Sequence, residues 1–264
     1  MDLQAFLRGR ATDSLLRLDD AITAAGLYKL PLLAVEENAL ALGILPKRYI
    51  RNCLSCKQQL RLLRSGVSII GCGGLGGTVT EILARIGVGR LRLVDPDRFE
   101  EHNLNRQRFS AVDHLGKWKV EVAAEELRRI NPAIQIDIVK TPFSREDIIA
   151  ADVVVDALDS GSKRLQLAEL CITHGKPLVH GAVREWYGQT GIQTETNTLF
   201  SLLYPPNKLA TADAPPKVLA PTVTTIAGLQ AAEVCKLLLD IKSPLTKHWL
   251  SSNLIDCDFD LIPF

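Results

Sequence analysis

Neither sign of charge dominates this chain: 31 lysines and arginines stand against 30 aspartates and glutamates in 264 residues. That balance excludes a whole-molecule field able to draw in nucleic acid or an anionic membrane, so neither is expected as a partner and any important charge must be local. Long hydrophobic runs are also lacking. The most apolar early region, 27–45, is broken by Lys29, Pro31, Glu36, Glu37 and Gly43, far short of the roughly 20 residues a bilayer-spanning helix needs. The first residues carry Asp2, Arg8 and Arg10 instead of an apolar stretch behind a basic start, so no signal peptide is read and a cytoplasmic location is expected. Six cysteines at irregular positions suit reduced thiols better than a disulfide framework. No internal repeat or low-complexity tract stands out.

What is present is a hydrophobic fraction of 47%, ample for one packed α/β domain with a small appendage. Up to about residue 47, apolar residues such as Leu15, Leu16, Leu18, Ile22 and Leu27 fall near three-and-four spacing, which predicts a short helical extension over 1–47. An amphipathic segment, 48–64, then leads into the main domain, 48–264. From Gly66 onward short apolar runs alternate with helix-length amphipathic runs, as in a parallel sheet covered by helices. Strands are expected at 67–70, 91–94, 134–139, 153–156 and 178–180, and helices at 75–86, 117–130, 163–174 and 222–239. Residues 187–196 alternate like an antiparallel strand, 197–218 reads as a surface loop, and the tail from His248 could add a last strand or two. The expected fold class is thus α/β: a Rossmann-like, mostly parallel sheet with helices on both faces, an antiparallel extension toward the C-terminus and a helical N-terminal extension.

The run Gly71-Cys72-Gly73-Gly74-Leu75-Gly76-Gly77 follows an apolar strand and opens a helix, the setting in which glycines let backbone amides approach a phosphate. Asp95 closes the next strand, where the dinucleotide fingerprint places an acid against a ribose hydroxyl. These features alone suit an NAD-dependent oxidoreductase. Downstream, however, Arg106, Arg108, Lys117 and Lys119 supply more cation than a dinucleotide pyrophosphate requires, whereas a triphosphate that expels pyrophosphate has to be neutralised. Cations are disfavoured at the positive end of a helix, so lysines opening the 117–130 helix point to an anion nearby. Read singly, each of these residues could equally be an exposed basic turn or the polar first turn of a helix.

Taken together and in order, GCGGLG (71–76), LVDPDRFEEHNLNRQ (93–107), GKWK (116–119) and DALDSGSKR (156–164) resemble the ubiquitin-activating-enzyme superfamily, in its bacterial ThiF/MoeB/HesA branch. The likeness runs from about Arg48 to the C-terminus. It implies an enzyme that uses ATP and Mg2+ to adenylate the C-terminal carboxylate of a ubiquitin-like sulfur-carrier protein ending in Gly-Gly. The phosphate cradle would be Gly71, Gly73, Gly74, Leu75 and Gly76. Asp95 would hold the ribose, Asn103, Arg106, Gln107 and Lys119 would meet the phosphates, and Asp159, with Asp97 as companion, would hold Mg2+. Arg164 matches the basic residue that follows the DxxD element. Arg48-Tyr49-Ile50-Arg51-Asn52 resembles a segment from which an arginine, here Arg51, reaches the active site of the opposite subunit in a homodimer. Other carboxylates, a modified tRNA base, or a non-catalytic nucleotide-binding scaffold remain alternatives.

The family pattern also fails in places. Many relatives carry two CxxC pairs on a structural zinc; the first pair's positions are occupied here by Leu199 and Leu202, and 214–217 has no cysteine, so no structural zinc is expected. Leucines there suggest a dry contact instead. Cys53 and Cys56 have CxxC spacing, read as a coincidence within a helix. Cys171 and Cys235 are expected to pack as small apolar residues, and Cys257, between Asp256 and Asp258, sits in a poor setting for a nucleophile, so no enzyme thioester is expected. His102, His114, His174, His180 and His248 show no ligand spacing, and His180 is read as a satisfied structural histidine. Trp186 and Tyr187 could be core residues or line a carrier's path.

Overall fold

The computed structural model describes residues 2–205 and 217–264. Its N-terminal extension contains helices α1 (Leu3–Arg10), α2 (Leu18–Tyr28) and α3 (Leu32–Ala41), with a small parallel pair between β1 (Leu15–Leu16) and β2 (Leu45–Pro46) that periodicity did not announce. Asp2 caps α1 by accepting the Ala5 N–H at 2.7 Å. Phe6, Leu7, Leu16, Ala21, Ala24, Val35, Ala39 and Ile44 form a hydrophobic cluster of their own in this extension.

The amphipathic segment read at 48–64 is helical only in part. Lys47–Tyr49 is a single 3-10 turn, and α4 begins at Cys56 and runs to Arg64, opened by a Ser55/Gln58 capping box. The reason lies in side chains that pull the intervening backbone inward. Arg48 pairs with the fully buried Glu36 through two contacts of 2.5 Å, its Nη2 donates at 3.0 Å to both the Tyr49 hydroxyl and Asn131 Oδ1, and Asn52 donates to Gln59 Oε1 at 3.0 Å. Asn131 closes the network by donating to the Tyr49 hydroxyl at 2.9 Å. This brace joins α3 of the extension to the end of the later helix α6 (Lys119–Ile130). Cys53 lies outside α4 and is exposed while Cys56 is its first residue, so their spacing is not a feature of one helix.

The main sheet has eight strands in the order β10-β9-β8-β7-β6-β3-β4-β5. Strands β3 (Gly66–Ile70), β4 (Arg90–Val94), β5 (Gln135–Val139), β6 (Val153–Asp156) and β7 (Leu178–Arg184) run parallel; β8 (Tyr187–Gln193), β9 (His248–Asn253) and β10 (Asp258–Pro263) continue antiparallel. Alternation divides each central strand between two cores. Val67, Ile69, Leu91, Leu93, Val153 and Val155 face α5 (Gly74–Ile86), α6 and α10 (Ala220–Leu238), whereas Ile70, Val94 and Val154 face α7 (Arg145–Ile149), α8 (Gly161–Thr173) and α9 (Leu199–Leu203). With both faces covered, such strands become continuous apolar runs. From β3 the chain passes to β4 on one side and, later, to β6 on the other. The C-terminal ends of β3 and β6 therefore form the topological switch point, where open α/β sheets leave a crevice for ligands.

Three expectations need correcting. The helix read at 117–130 starts at Lys119, with Trp118 as its N-cap. The loop read at 197–218 contains α9, because Leu199 and Phe200 bury themselves in the second core; its remaining stretch at 206–216 lies outside the described residues. Leu199 does make the dry contact expected of it, but Leu202 is 52% exposed. Trp186 and Tyr187 are not core residues: they lie exposed at the turn of the β7–β8 hairpin, where Glu185 takes φ 53°. Among the described residues no helix is long and apolar enough to cross a membrane.

Candidate active site

The crevice at the switch point is a cleft of about 530 Å³ lined by Gly71, Gly73, Gly74, Leu75, Asp95, Asp97, Arg106, Gln107, Lys119 and Asp159, all singled out from the sequence. Its floor is built by two close approaches. Gly71, at φ 94°, brings its α-carbon so near Ala157 that a side chain would come within 2.6 Å of that carbonyl oxygen, and a side chain at Gly76 would lie 1.7 Å from the Gly71 oxygen. Gly76 thus seats α5 against the loop instead of lining the cleft.

Asp95, buried at the end of β4, uses both carboxylate oxygens to fix backbone: one accepts the Cys72 N–H at 2.7 Å, the other the Asp97 N–H at 2.8 Å. Burial pushes its carboxyl above the ordinary value, and the nearby Lys119 ammonium and these two N–H donors oppose that rise. The same burial, reinforced by the Asp95 charge, raises the Cys72 thiol well above its usual range, so Cys72 is inert. Cys171 and Cys235 are likewise raised by burial, to about 12 and about 11, consistent with their packing role.

Lys119, the first residue of α6, turns its side chain into the cleft, where only 8% of it is exposed and its ammonium meets Asp97 Oδ2 at 3.1 Å. An almost buried ammonium paired with Asp97 and close enough to Asp95 to act on its charge, at the positive end of a helix, is the local cation the sequence called for. Lys117 is exposed and does not line the cleft. The two arginines divide similarly. Arg106 lines the cleft, with Nη1 donating at 2.8 Å to His102 O and to Asn105 Oδ1, whereas Arg108 is bound to Glu81 on α5, its Nη2 donating at 2.9 Å. Gln107 lies against Gly73, and its buried Oε1 has no hydrogen-bond partner among the described residues, an acceptor facing a site that a ligand donor could fill.

Besides Gly76, two expected residues fall elsewhere. Asn103, expected on the phosphates, is buried beneath the turn: its Oδ1 accepts the Glu100 N–H at 3.0 Å and its carbonyl takes the Arg106 and Gln107 N–H groups, so it shapes the segment that presents those residues. Arg51 is exposed and does not line this chain's cleft. Pro142, Phe143 and Gln166 also line the cleft and carried no motif signal, and Lys163, inside the 156–164 motif but given no role from the sequence, lines it too. Three carboxylates line the cleft; Asp95 is taken up by backbone N–H groups, and Asp97 and Asp159 could hold Mg2+, an ion usually held by one or two carboxylates with substrate phosphates and water.

Below the cleft lies a buried cluster of charge. Asp156 Oδ2 meets Arg164 Nη1 at 3.1 Å and His180 Nδ1 at 2.7 Å, and its Oδ1 accepts the Leu158 N–H at 3.0 Å. Burial pushes the Asp156 carboxyl up, but Arg164 and His180 together outweigh it and hold it below the ordinary range. His180 is fully buried and lowered by that burial, so its ring is neutral. It is a satisfied histidine, as its sequence setting suggested, but it belongs to a network that touches the cleft.

Comparison with known proteins agrees with this geometry. The ThiF family pattern matches residues 47–262. The SAMP-activating enzyme E1 of Haloferax volcanii is 36% identical over 213 residues, spanning 78% of this chain and 79% of that protein. The sulfur carrier protein adenylyltransferase of Thermus thermophilus is 31% identical over 214 residues, spanning 76% and 79%, and the molybdopterin-synthase adenylyltransferase of Salmonella typhimurium is 35% identical over 202 residues, spanning 73% and 80%. Among solved structures, E. coli MccB with ATP superposes with a TM-score of 0.72 over 92% of this chain and 82% of that one at 23% identity, a likeness of fold. The dehydrogenase reading that the glycine loop permitted gives way: the chain belongs to the ThiF family.

Proposed function

We propose that this chain, an ATP-using adenylyltransferase, activates the C-terminal carboxylate of a ubiquitin-like sulfur-carrier protein ending in Gly-Gly and releases pyrophosphate, as a cytoplasmic Mg2+-dependent homodimer. The observation that carries the reading is the gathering of the glycine loop, Asp95, Arg106, Gln107, Lys119 and Asp159 around one cleft. A peptide C-terminus is ionised near neutral pH, so attack on the α-phosphorus needs no general base. The obstacle is that two anions must meet. The chain's own contribution is to hold the triphosphate against the backbone amides of the glycine loop and to screen it with the Lys119 ammonium and Arg106. Gln107 would take a donor from the nucleotide on its bare Oε1. Asp159 and Asp97 would hold Mg2+, which when bound neutralises charge developing on the phosphate oxygens. Arg51, exposed on its own subunit, would enter the cleft of the second copy. Val183, Val218 and Val223 form an apolar wall on the cleft, suited to an extended small-residue tail.

Carrier-dependent ATP:pyrophosphate exchange tests this. Exchange is expected with a carrier ending in Gly-Gly and lost when the last glycine is removed; ATP binding without exchange for any Gly-Gly carrier would leave the chain a nucleotide-binding scaffold.

A further inference from the structure

The cluster below the cleft connects two places that the reaction scheme leaves unrelated. On one side, the turn 156–159 is held by both backbone groups of Leu158: its N–H goes to Asp156 Oδ1 at 3.0 Å, and its carbonyl accepts from Arg164 Nη2. Arg164 Nη1 also reaches Gly181 O at 2.7 Å, and Gln230 Nε2 holds the Asp156 carbonyl at 2.9 Å. Leu158, Asp159 and Arg164 all line the cleft. On the other side, His180 Nε2 lies 3.1 Å from Gln189 Nε2 and 3.3 Å from the Tyr204 hydroxyl, with its ring edge-on to Phe200 and Tyr204 at 5.1 and 5.6 Å. Phe200 is part of α9 and Tyr204 is its C-cap.

The partners fix the tautomer. An ionised Asp156 only accepts, so Nδ1 carries the proton; Nε2, left bare, can then accept from the Gln189 amide nitrogen and from the Tyr204 hydroxyl. Arg164 Nη1 also lies 3.1 Å from Nδ1, and that nitrogen places its own protons on Asp156 and Gly181 O. A neutral imidazole that donates at Nδ1 and accepts at Nε2 suits both ends.

We propose that His180, neutral and protonated on Nδ1, is a positioning residue: it orients Asp156, and through Asp156 the turn that presents Asp159 to the metal-nucleotide site. The inference rests on the reading that Asp159 contributes to Mg2+. Removing a group bonded directly to a metal ligand typically weakens metal binding about 10- to 100-fold, and His180, one bond further from Asp159, is expected at the lower end of that range.

Two substitutions separate this role from simple packing. His180→Asn keeps an amide nitrogen on the γ-carbon, where Nδ1 sits, whereas His180→Gln places its amide out near Nε2; both lose the ring set edge-on to Phe200 and Tyr204. Calorimetry with a non-hydrolysable ATP analogue, with and without Mg2+, reads the result directly. The Mg2+-dependent gain in affinity is expected to stay within about twofold in His180→Asn and to fall about tenfold in His180→Gln, with metal-free binding unchanged in both. Equal losses in the two variants, or none in His180→Gln, overturn the proposal. Asp159→Asn is the control: if the Mg2+ gain survives there, the Asp159 reading fails instead. Should neither histidine variant fold, the nitrogen shifts of His180 in the wild-type protein decide, an Nδ1–H tautomer at pH 7 being expected and an Nε2–H tautomer contradicting it.

Discussion

Two of the carboxylate–arginine pairs among the described residues, Glu36–Arg48 and Asp156–Arg164, each have a fully buried carboxylate and are put to different uses. Glu36 and Arg48 join the N-terminal extension to the nucleotide-binding unit through Tyr49 and Asn131, and none of these side chains lines the cleft. Asp156 and Arg164 have nearly the same chemistry, but Arg164 and the turn it holds form part of the cleft wall. A buried ion pair is weak evidence for stability in itself, since desolvation consumes much of the attraction; breaking it is costly because one charge is left alone. Location thus decides whether the cost appears as lost folding or as lost ligand.

The comparison is broken most forcefully at Glu36. Glu36→Ala strands the Arg48 guanidinium and should destabilise the chain by about 3–5 kcal/mol in denaturant titration, leaving nucleotide affinity unchanged in whatever fraction stays folded. Next in size is a cleft residue outside both pairs: Arg106→Ala should lower carrier-dependent exchange about 10²-fold or more with little change in melting temperature, because among the described residues its side chain bonds only to the adjacent turn.

A smaller effect follows from His180. Its pKa is lowered from 6.5 by burial, so the unfolded chain binds more protons than the folded one below that pH. The stability it contributes is complete above about pH 6.5 and declines as pH falls, by at most about 1.4 kcal/mol per pH unit for one proton. Asp156, held below its ordinary 3.8, contributes in the same direction only in more acid solution. Melting temperature should therefore drop between pH 7 and pH 5, and His180→Asn should flatten that drop; an unchanged slope would mean that another group titrates. The smallest effect gives the scale of an exposed contact: Ser55→Ala, which removes the α4 cap beside the brace, should cost about 1 kcal/mol.

How much of this was legible in the sequence depends on how local the physics is. Continuous apolar strands such as 67–70 and 153–156 announced themselves because both faces of the sheet are covered, and the glycine loop, Asp95, Lys119 and Asp159 announced the cleft because the motif and the elements that carry it are contiguous. Boundaries slipped where a side chain far along the chain decides them. Residues 50–55 leave the helical pattern because Tyr49 and Asn52 bond to Asn131 and Gln59, and α9 is helical because Leu199 and Phe200 find a core to enter. Arg108 looked equivalent to Arg106 until Glu81, on another helix, claimed it. His180, Asp156, Arg164 and Tyr204 come from separate elements, and only the fold assembles them.

The central claim is that the cations beside the glycine loop let two like-charged reactants meet. A crystal structure of the protein with Mg2+ and a non-hydrolysable ATP analogue tests it most directly. The triphosphate should lie on the amides of residues 73–75, with the Lys119 ammonium and the Arg106 guanidinium on its oxygens. Phosphates bound elsewhere, or those two side chains left in solvent with the nucleotide in place, would contradict it.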